Sequence, residues 1–517
     1  MVTLEEISGL IPKNATDAAH NPPPRVADSY KPLHTFDLDK QRPYKQQYGD
    51  MYFLRLAKIK PAVEQVAAAS WAGTVIGGEQ VKRVERVLDV RQGELCWVAG
   101  TIYMDMPLKP NILEDVSKDK WISKPQPAKQ KYLSLDGADQ TMLEDDSGRV
   151  RLVGDLLQSI PLVTGCVIAV MGTENSSGDF EVIDIKFPDL PAQPERWALT
   201  KPASGNGHVK SKRKVIKDED DSDEEMTDTP PSKKVAIVSG LSFSGSDASH
   251  SVELDLLQEY LLGEALCPND QSAISSISRL IIAGNSIMTK TTDDKDEDAA
   301  EKAVEKKASK KYGYDASAYD ALPSQLFDEF INELLPSIPI TLLPGAQDPA
   351  NASYPQQPIH MAMFPKSKTY GPEPTAKSTE PGWLDAVTNP WEAEIEGWRM
   401  LGTGGQNVDD VFKYMDSEDR LGMMEAMCRW RCCAPTAPDT LWSYPFQEDD
   451  PFVMKSCPHL YFVASQPEFS TKVITGPEGQ SLRLITVPSF AETKELVLVD
   501  TETLEVELVR FSKYTGR

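Results

Sequence analysis

Several features are scarce in this chain of 517 residues. No stretch approaches the ~18 consecutive apolar residues that a membrane-spanning helix needs, so no span is expected. Cysteine occurs only seven times, an odd count at irregular spacing. That pattern fits a reducing compartment and argues against a disulfide framework. Histidine occurs six times, and His20 and His208 fall in stretches without an apolar period. Basic residues are the minority, 54 Lys and Arg against 79 Asp and Glu, for a formal net charge of −25. Such a chain is repelled by phosphate backbones. Tight direct DNA or RNA binding is therefore not expected, and protein partners are. The opening MVTLEEISGL sets Glu5 and Glu6 where a secretory signal carries positive charge, so no such signal is expected. Neither a P-loop nor a Rossmann fingerprint is present. The Gly-rich LGTGGQN at 401–407 lacks a following Lys-Ser or Lys-Thr and reads as a tight turn.

What is present is an ordinary globular balance, 40% hydrophobic and 26% charged, at a length that predicts two to four domains. Residues 1–40 are polar and Pro-rich, as in NPPPRVADSYKP, and read as a disordered tail. Residues 41–200 form the first domain. In RPYKQQYGDMYFLRLAKIK, Tyr44, Tyr48, Tyr52, Leu56 and Ile59 recur at helical spacing. Pro61 is expected to break or restart that helix before Val63, Val66 and Ala67 lead to Trp71. The pair either packs on its own domain or offers a docking helix to a partner, and periodicity favours the first. QGELCWVAGTIYMDM, TMLEDDSGRVRLVGDL and CVIAVMGTENSSGDFEVIDIKF then read as short strands around Asp, Asn and Gly turns. They predict a small barrel, with an OB-type barrel as one candidate. Its Trp97, Tyr103, Tyr132 and Phe180 could stack on bases, but the acidic loops with Glu144, Asp145, Asp146 and Asp155 favour core positions.

Residues 201–233 hold a basic cluster, an acidic block and a Pro-Pro step, and read as a disordered charged linker. Lys210, Lys212, Arg213 and Lys214, with Lys233 and Lys234, fit either a nuclear localisation signal or a plain solvated charge run. Ser222 lies in an acidic context that invites phosphorylation. Residues 234–517 change to alternating strands and helices, interrupted by a charged insertion at 290–312. KVAIVSGLSF, ISRLIIAGNSI and PITLLPGAQDP are nearly all-apolar strands, as in sheets covered on both faces. LPSQLFDEFINELLPSIP sets Leu322, Leu326, Phe327, Phe330, Ile331 and Leu334 on one helical face. The strand-rich last third predicts a second sheet packed on the first.

In α/β folds, ligands gather at the carboxyl ends of the strands. Here those ends read SGLS at 239–242, GNS at 284–286, GAQD at 345–348 and ASQP at 464–467. Their order resembles the calcineurin-like metallophosphoesterases. That family carries Asp-x-His, Gly-Asp, Gly-Asn-His-Asp and Gly-His-x-His at these places and holds two metal ions with them. On that resemblance Gly240 and Ser242 stand for the first Asp and His. Asn285 stands for the bridging Asp, Ala346 and Gln347 for Asn and His, and Ser465 and Pro467 for the last two histidines. Only Asp348 is kept, and capping a following helix is one role left to it. Gly, Ala and Pro offer no ligand, and Ser, Asn and Gln are weak neutral ones, so no dinuclear centre, cofactor or catalysis is expected. Cys428, Cys432, Cys433, Cys457 and His459 could bind zinc, but the spacing favours reduced core cysteines.

A degenerate phosphoesterase domain behind an OB-type barrel resembles the B subunits of replicative DNA polymerases. The specific series is similar to the small subunits of DNA polymerase delta. It runs from RPYKQQYGDMYFLRL and CWVAGTIYMDMPLKPNILEDVS through PGAQDPAN, YPQQPIH and TNPWEAEIEGWRMLGTGGQNVDDVFKY to APTAPDTLWSYPF, DPFVMKSCPHLYFVASQPEF and LITVPSF. The fold class so implied is multi-domain: N-terminal helices with an OB-type barrel, then a calcineurin-like two-sheet α/β sandwich. The resemblance implies a non-catalytic nuclear scaffold for replication, repair and translesion synthesis. Such a scaffold binds the C-terminal domain of the catalytic subunit and a third subunit that carries the clamp-binding motif. It meets the sliding clamp indirectly, and polymerase zeta is a further implied partner. The rival readings are the corresponding small subunits of polymerase alpha or epsilon and an active phosphoesterase with atypical ligands. Trp398 and Trp430 are candidate partner anchors, with core positions the favoured alternative.

Overall fold

The computed structural model describes residues 24–39, 48–110, 131–134, 137–196, 232–245, 249–264, 268–288, 320–372 and 380–513. The basic cluster Lys210, Lys212, Arg213 and Lys214, Ser222, and the insertion at 290–312 lie outside them. Lys233 and Lys234 lie inside and belong to the fold: Lys233 pairs with Glu396 at 2.9 Å and Lys234 with Glu507 at 2.6 Å.

The first described segment corrects the expectation of a tail. Residues 24–39 are packed: β1 (Tyr30–Pro32) pairs antiparallel with the edge of a sheet at 391–395. Arg25 donates to the carbonyls of Ile274 and Ile277, Asp28 pairs with Arg279, and Phe36 is buried. A strand of three residues anchored by long-range contacts has no periodicity, so composition alone read it as solvent-exposed.

Helix α1 (Gly49–Trp71) also departs from expectation, since it runs straight through Pro61. Pro61 sits on its exposed side, while Leu56, Ile59, Val63, Ala67 and Trp71 are buried. Packing of that stripe offsets the ~3 kcal/mol that an internal proline costs. The stripe lies against the outside of a barrel. A minimal hairpin of β2 (Val75–Ile76) and β3 (Glu79–Gln80) follows the helix. The barrel comprises β4 (Lys82–Arg83), β5 (Cys96–Asp105), β6 (Gln140–Glu144), β7 (Arg149–Val153), β8 (Val167–Glu174) and β9 (Phe180–Lys186), with the short α2 (Leu156–Ser159) between β7 and β8. The sheet order is β4-β5-β6-β7-β9-β8, and β5 pairs again with β8 to close it. Strand β5 shows why these segments read as almost continuously apolar. Cys96, Val98 and Ile102 fill the barrel, while Trp97 and Ala99 face α1. Trp97, Tyr132 and Phe180 are buried, as core positions require.

The larger unit is built on two six-stranded sheets. The first has the order β13-β12-β11-β10-β19-β20, from β10 (Lys234–Val238), β11 (Ile277–Ala283), β12 (Ile340–Leu343), β13 (Leu384–Ala386), β19 (Glu495–Asp500) and β20 (Val506–Arg510). Strands β10 to β13 are parallel, and β19 and β20 add antiparallel. The second has the order β1-β14-β15-β16-β18-β17, from β14 (Trp391–Ile395), β15 (Trp398–Thr403), β16 (Leu460–Gln466), β17 (Ser470–Thr475) and β18 (Ser481–Pro488). Along β10 the side chains alternate. Val235 and Ile237 meet Phe462 and Ile485 of the second sheet, while Ala236 and Val238 face helices. Those helices are α3 (Ser251–Leu262), α4 (Pro268–Ser275) and α5 (Leu322–Leu334). On α5 the apolar face holds Phe327, Phe330, Ile331 and Leu334, whereas Leu322 is exposed. The far face of the second sheet carries α6 (Gln406–Tyr414) and α7 (Arg420–Arg429), and its apolar cluster continues into the barrel. The short α8 (Phe490–Thr493) links β18 to β19. No helix is long and apolar enough to cross a membrane among the described residues.

Candidate functional site at the strand ends

The carboxyl ends of β10, β11, β12, β15 and β16 come together at one rim of the two sheets. Backbone shape marks the place. Gly240, Ser242, Gly284, Asn285 and Ser465 all adopt positive φ at these ends. For Ser242, Asn285 and Ser465 that costs about 1 kcal/mol each, so the surrounding structure holds them there. The loops stay in register beyond the ladders. Gly240 N donates to Gly284 O, Ser242 N to Asn285 O, and Gly284 N to Leu343 O, at 2.9 to 3.0 Å.

The side chains form a neutral network. Ser465 N donates to Ser239 Oγ at 2.8 Å, and the two hydroxyls lie 3.2 Å apart. Asn285 Nδ2 donates to Ser465 Oγ at 3.0 Å, and Asn285 Oδ1 accepts from Gln347 N at 3.0 Å. One cluster therefore ties the first sheet (Ser239, Asn285) to the second (Ser465). Beside it lies a second group that sequence reasoning did not single out. Asn389, wholly buried, donates to Gln356 Oε1 and Gln406 Oε1 and accepts from Tyr354 OH and Gly404 N. Gln406 Nε2 returns to Gln356 Oε1 at 2.8 Å. In the sequence these amides fall inside TNPWEAEIEGW, GTGGQN and YPQQPIH, at no spacing that marks them as a group. The Gly-rich GTGGQN itself opens α6, with Gly405 as its N-cap, and is more than an isolated turn.

Of the sequence-derived positions, the structure brings Asn285, Gln347 and Ser465 into contact. Ala346 and Pro467 are exposed. Asp348 points inward: Oδ1 accepts from Ile287 N at 2.8 Å and Oδ2 from Gly345 N at 2.7 Å. It caps no helix, because 349–360 contains none. Instead it satisfies donors of two neighbouring strand ends. Burial raises its carboxyl to about 6, and the backbone donors that favour the charged form only partly oppose this.

The residues do not fit the two metal ions that the phosphoesterase resemblance would call for. A side chain at Gly240 would collide with Ser489 Oγ, so no carboxylate can replace that glycine without displacing its neighbour. A Cβ at Gly345 would collide with Asn285 N, and one at Gly404 would lie 2.6 Å from Asn389 Nδ2. The space is filled by backbone and amides. Among the described residues no group of three or more His, Cys, Asp or Glu is placed to hold a metal. The other candidate set is core. Cys428, Cys432, Cys433 and Cys457 are buried, and burial pushes Cys432 up to about 11 and Cys457 up to about 12. His459 accepts from Arg399 N through Nδ1 and so donates from Nε2 to Pro194 O, a neutral tautomer that burial favours. Trp430 is core, and Trp398 is half-buried with its Nε1 on Thr501 O.

The barrel and the strand ends each have counterparts in known proteins. The family described as DNA polymerase delta subunit OB-fold domain matches residues 47–185, and the family of the B subunits of DNA polymerases alpha and epsilon matches 235–471. The DNA polymerase delta small subunit of Saccharomyces cerevisiae is 34% identical over 516 residues, covering 94% of each chain. The protein of that name from Oryza sativa subsp. japonica is 33% identical over 467 residues, covering 90% of this chain and 93% of its own. DNA polymerase delta subunit 2 of Drosophila melanogaster is 31% identical over 494 residues, covering 94% of this chain and 98% of its own.

Proposed function

This chain belongs to the DNA polymerase delta small-subunit family, an accessory subunit of that polymerase in DNA replication, and on that premise we propose that it is a non-catalytic scaffold built on a phosphoesterase fold whose metal site has been closed. As an accessory subunit it works in a complex with the catalytic and other subunits. In the proposed arrangement it joins the C-terminal domain of the catalytic subunit to the third, clamp-binding subunit, in the nucleus. Polymerase zeta and roles in repair extend the same reading. Full-length identity of 31–34% to delta subunits favours delta over alpha or epsilon.

One observation carries the loss of catalysis: apart from Asp348, which is turned inward onto backbone donors, the strand-end network is neutral and its side chains spend their hydrogen bonds on each other. Water activation and phosphate clamping need charged or strongly donating ligands turned toward a substrate. Here Asn285, Ser465 and Ser239 turn toward one another. The strained backbone at Ser242, Asn285 and Ser465 fits loops inherited from a ligand-binding ancestor and kept for shape.

The test is to co-express this chain with the catalytic and third subunits and purify through a tag on it. A stable assembly containing both is expected. The purified chain should neither hydrolyse a nitrophenyl phosphodiester with added manganese or zinc nor change its unfolding midpoint with a chelator. Metal-dependent turnover that disappears in Asn285→Ala would overturn the closed-site reading, and failure to retain either subunit would overturn the scaffold.

A further inference from the structure

We infer that a docked strap, residues 188–196, joins the barrel to the two-sheet unit, and that the chain between Arg196 and Ser232 is an excursion that leaves and returns at one clamp rather than a tether that spaces two domains. The inference stands apart from the identity of the bound subunits.

The strap is the first reason. After β9 the chain runs across the starts of β16 and β18, at the end of the second sheet opposite the neutral network. Arg431 donates from Nη2 to Pro188 O at 3.0 Å and from Nε to Asp189 O at 2.6 Å. Cys457 N donates to Ala192 O at 3.0 Å. Gln193 imitates a strand pairing with its side chain. Its Nε2 donates to Pro458 O at 3.0 Å and to Ser481 O at 2.8 Å, and its Oε1 accepts from Ser481 N at 2.9 Å. His459 Nε2 donates to Pro194 O at 2.9 Å. The chain has therefore docked on the larger unit before residue 197 begins.

The clamp is the second reason. Arg196 donates from Nε to Glu396 O at 3.0 Å and from Nη2 to Thr501 O at 2.9 Å, with its guanidinium 4.5 Å from the Trp398 ring centroid. Where the described chain resumes, Lys233 Nζ pairs with Glu396 Oε1 at 2.9 Å, and Lys233 O accepts from Thr501 N at 2.8 Å. Both ends thus meet the same two residues, one from each sheet. Glu396 lies between β14 and β15, and Thr501, wholly buried, directly follows β19. A tether sets the distance between two bodies, so its length matters. A loop whose ends are fixed together changes stability only with the logarithm of its length. The charged sequence at 201–231 therefore sets no distance within the scaffold.

Two variants of the full chain test this. In the first, a bridge of about six Gly and Ser residues replaces 199–229. Ends that meet tolerate so short a bridge, and the unfolding midpoint should fall by no more than about 3 °C. A larger fall, or an aggregated product, would overturn the excursion. In the second, a protease recognition sequence placed between positions 215 and 216 is cut after purification. The two fragments should co-elute as one species, with hydrogen exchange of the peptide 455–459 within about twofold of the uncut chain. Separation of the fragments, or faster exchange, would overturn it as well. In the cut chain, Gln193→Ala with Arg431→Ala should raise exchange of that peptide roughly tenfold or more, although neither substitution removes the bond between Cys457 and Ala192. Gln193→Ala alone should act in the same direction. Exchange unchanged in both would remove the strap from the joint.

Discussion

Two buried polar centres hold this molecule together by opposite chemistry. At the strand ends, Ser239, Asn285, Ser465 and Asn389 join the two sheets through neutral hydroxyls and amides. At the seam between α1 and the larger unit, Arg55 and Asp450 meet as a fully buried ion pair. Burial pulls the Arg55 guanidinium down, but the Asp450 carboxylate outweighs it and leaves the group raised and charged. The neutral centre spreads its energy over many modest bonds, so loss of one is shared. The charged centre concentrates it in one pair, where loss of a partner strands a charge. The neutral centre joins the two sheets of the larger unit, whereas the charged one ties that unit to α1.

The contrast is broken most directly at Arg55. Arg55→Ala should cost about 3–5 kcal/mol in urea unfolding by leaving Asp450 buried and unpaired. The double variant Arg55→Met with Asp450→Leu should recover much of it. A loss under about 1 kcal/mol in the single variant would mean that the pair is hydrated and the contrast false. Asn389→Leu is the matching attack on the neutral centre. It strips partners from Tyr354, Gly404, Gln356 and Gln406, and about 2–3 kcal/mol is expected. A cost equal to that of Arg55→Ala would erase the distinction.

Asp348 sharpens the comparison, as a buried carboxylate beside the neutral network. Its folded value of about 6 lies above the ordinary 3.8, so the folded state holds the proton more tightly. The stability this group adds is therefore fully present below about pH 4 and is lost as pH rises through about 6. Wild type should lose about 1–2 kcal/mol more than Asp348→Asn between about pH 4.5 and 6.5. Parallel profiles for the two proteins would count against it. The smallest effect belongs to Ser465→Ala, about 1 kcal/mol, since Ser239 and Asn285 can turn to water. A cost above about 3 kcal/mol would show that the strand-end network is cooperative rather than distributed.

Much of the fold was legible because it is periodic or punctuated. Strand β10 and its neighbours read as buried strands from their apolar runs, and the barrel hairpins from DDSG and NSSGD. At the strand ends, the scarcity of carboxylates and imidazoles was visible directly. The buried amides beside them were not, because Asn389, Gln356 and Gln406 carry no charge and sit at no fixed spacing. Asp348 misled in a specific way. An aspartate after a turn resembles an N-cap, and only the position of Ile287 and Gly345 revealed two backbone donors waiting for it.

By itself the sequence determined the main buried strands and amphipathic helices, which residue types stand at the strand ends, and, through its ordered motifs, the family. Those properties reside in local composition, in spacing and in which side chains are ionisable. Tertiary structure alone decided that residues 24–39 pack, that α1 passes through Pro61, and that Arg55 finds Asp450 across 395 positions. Contacts between residues so far apart leave no local pattern, because their energy depends on burial and geometry that exist only once the two domains have met.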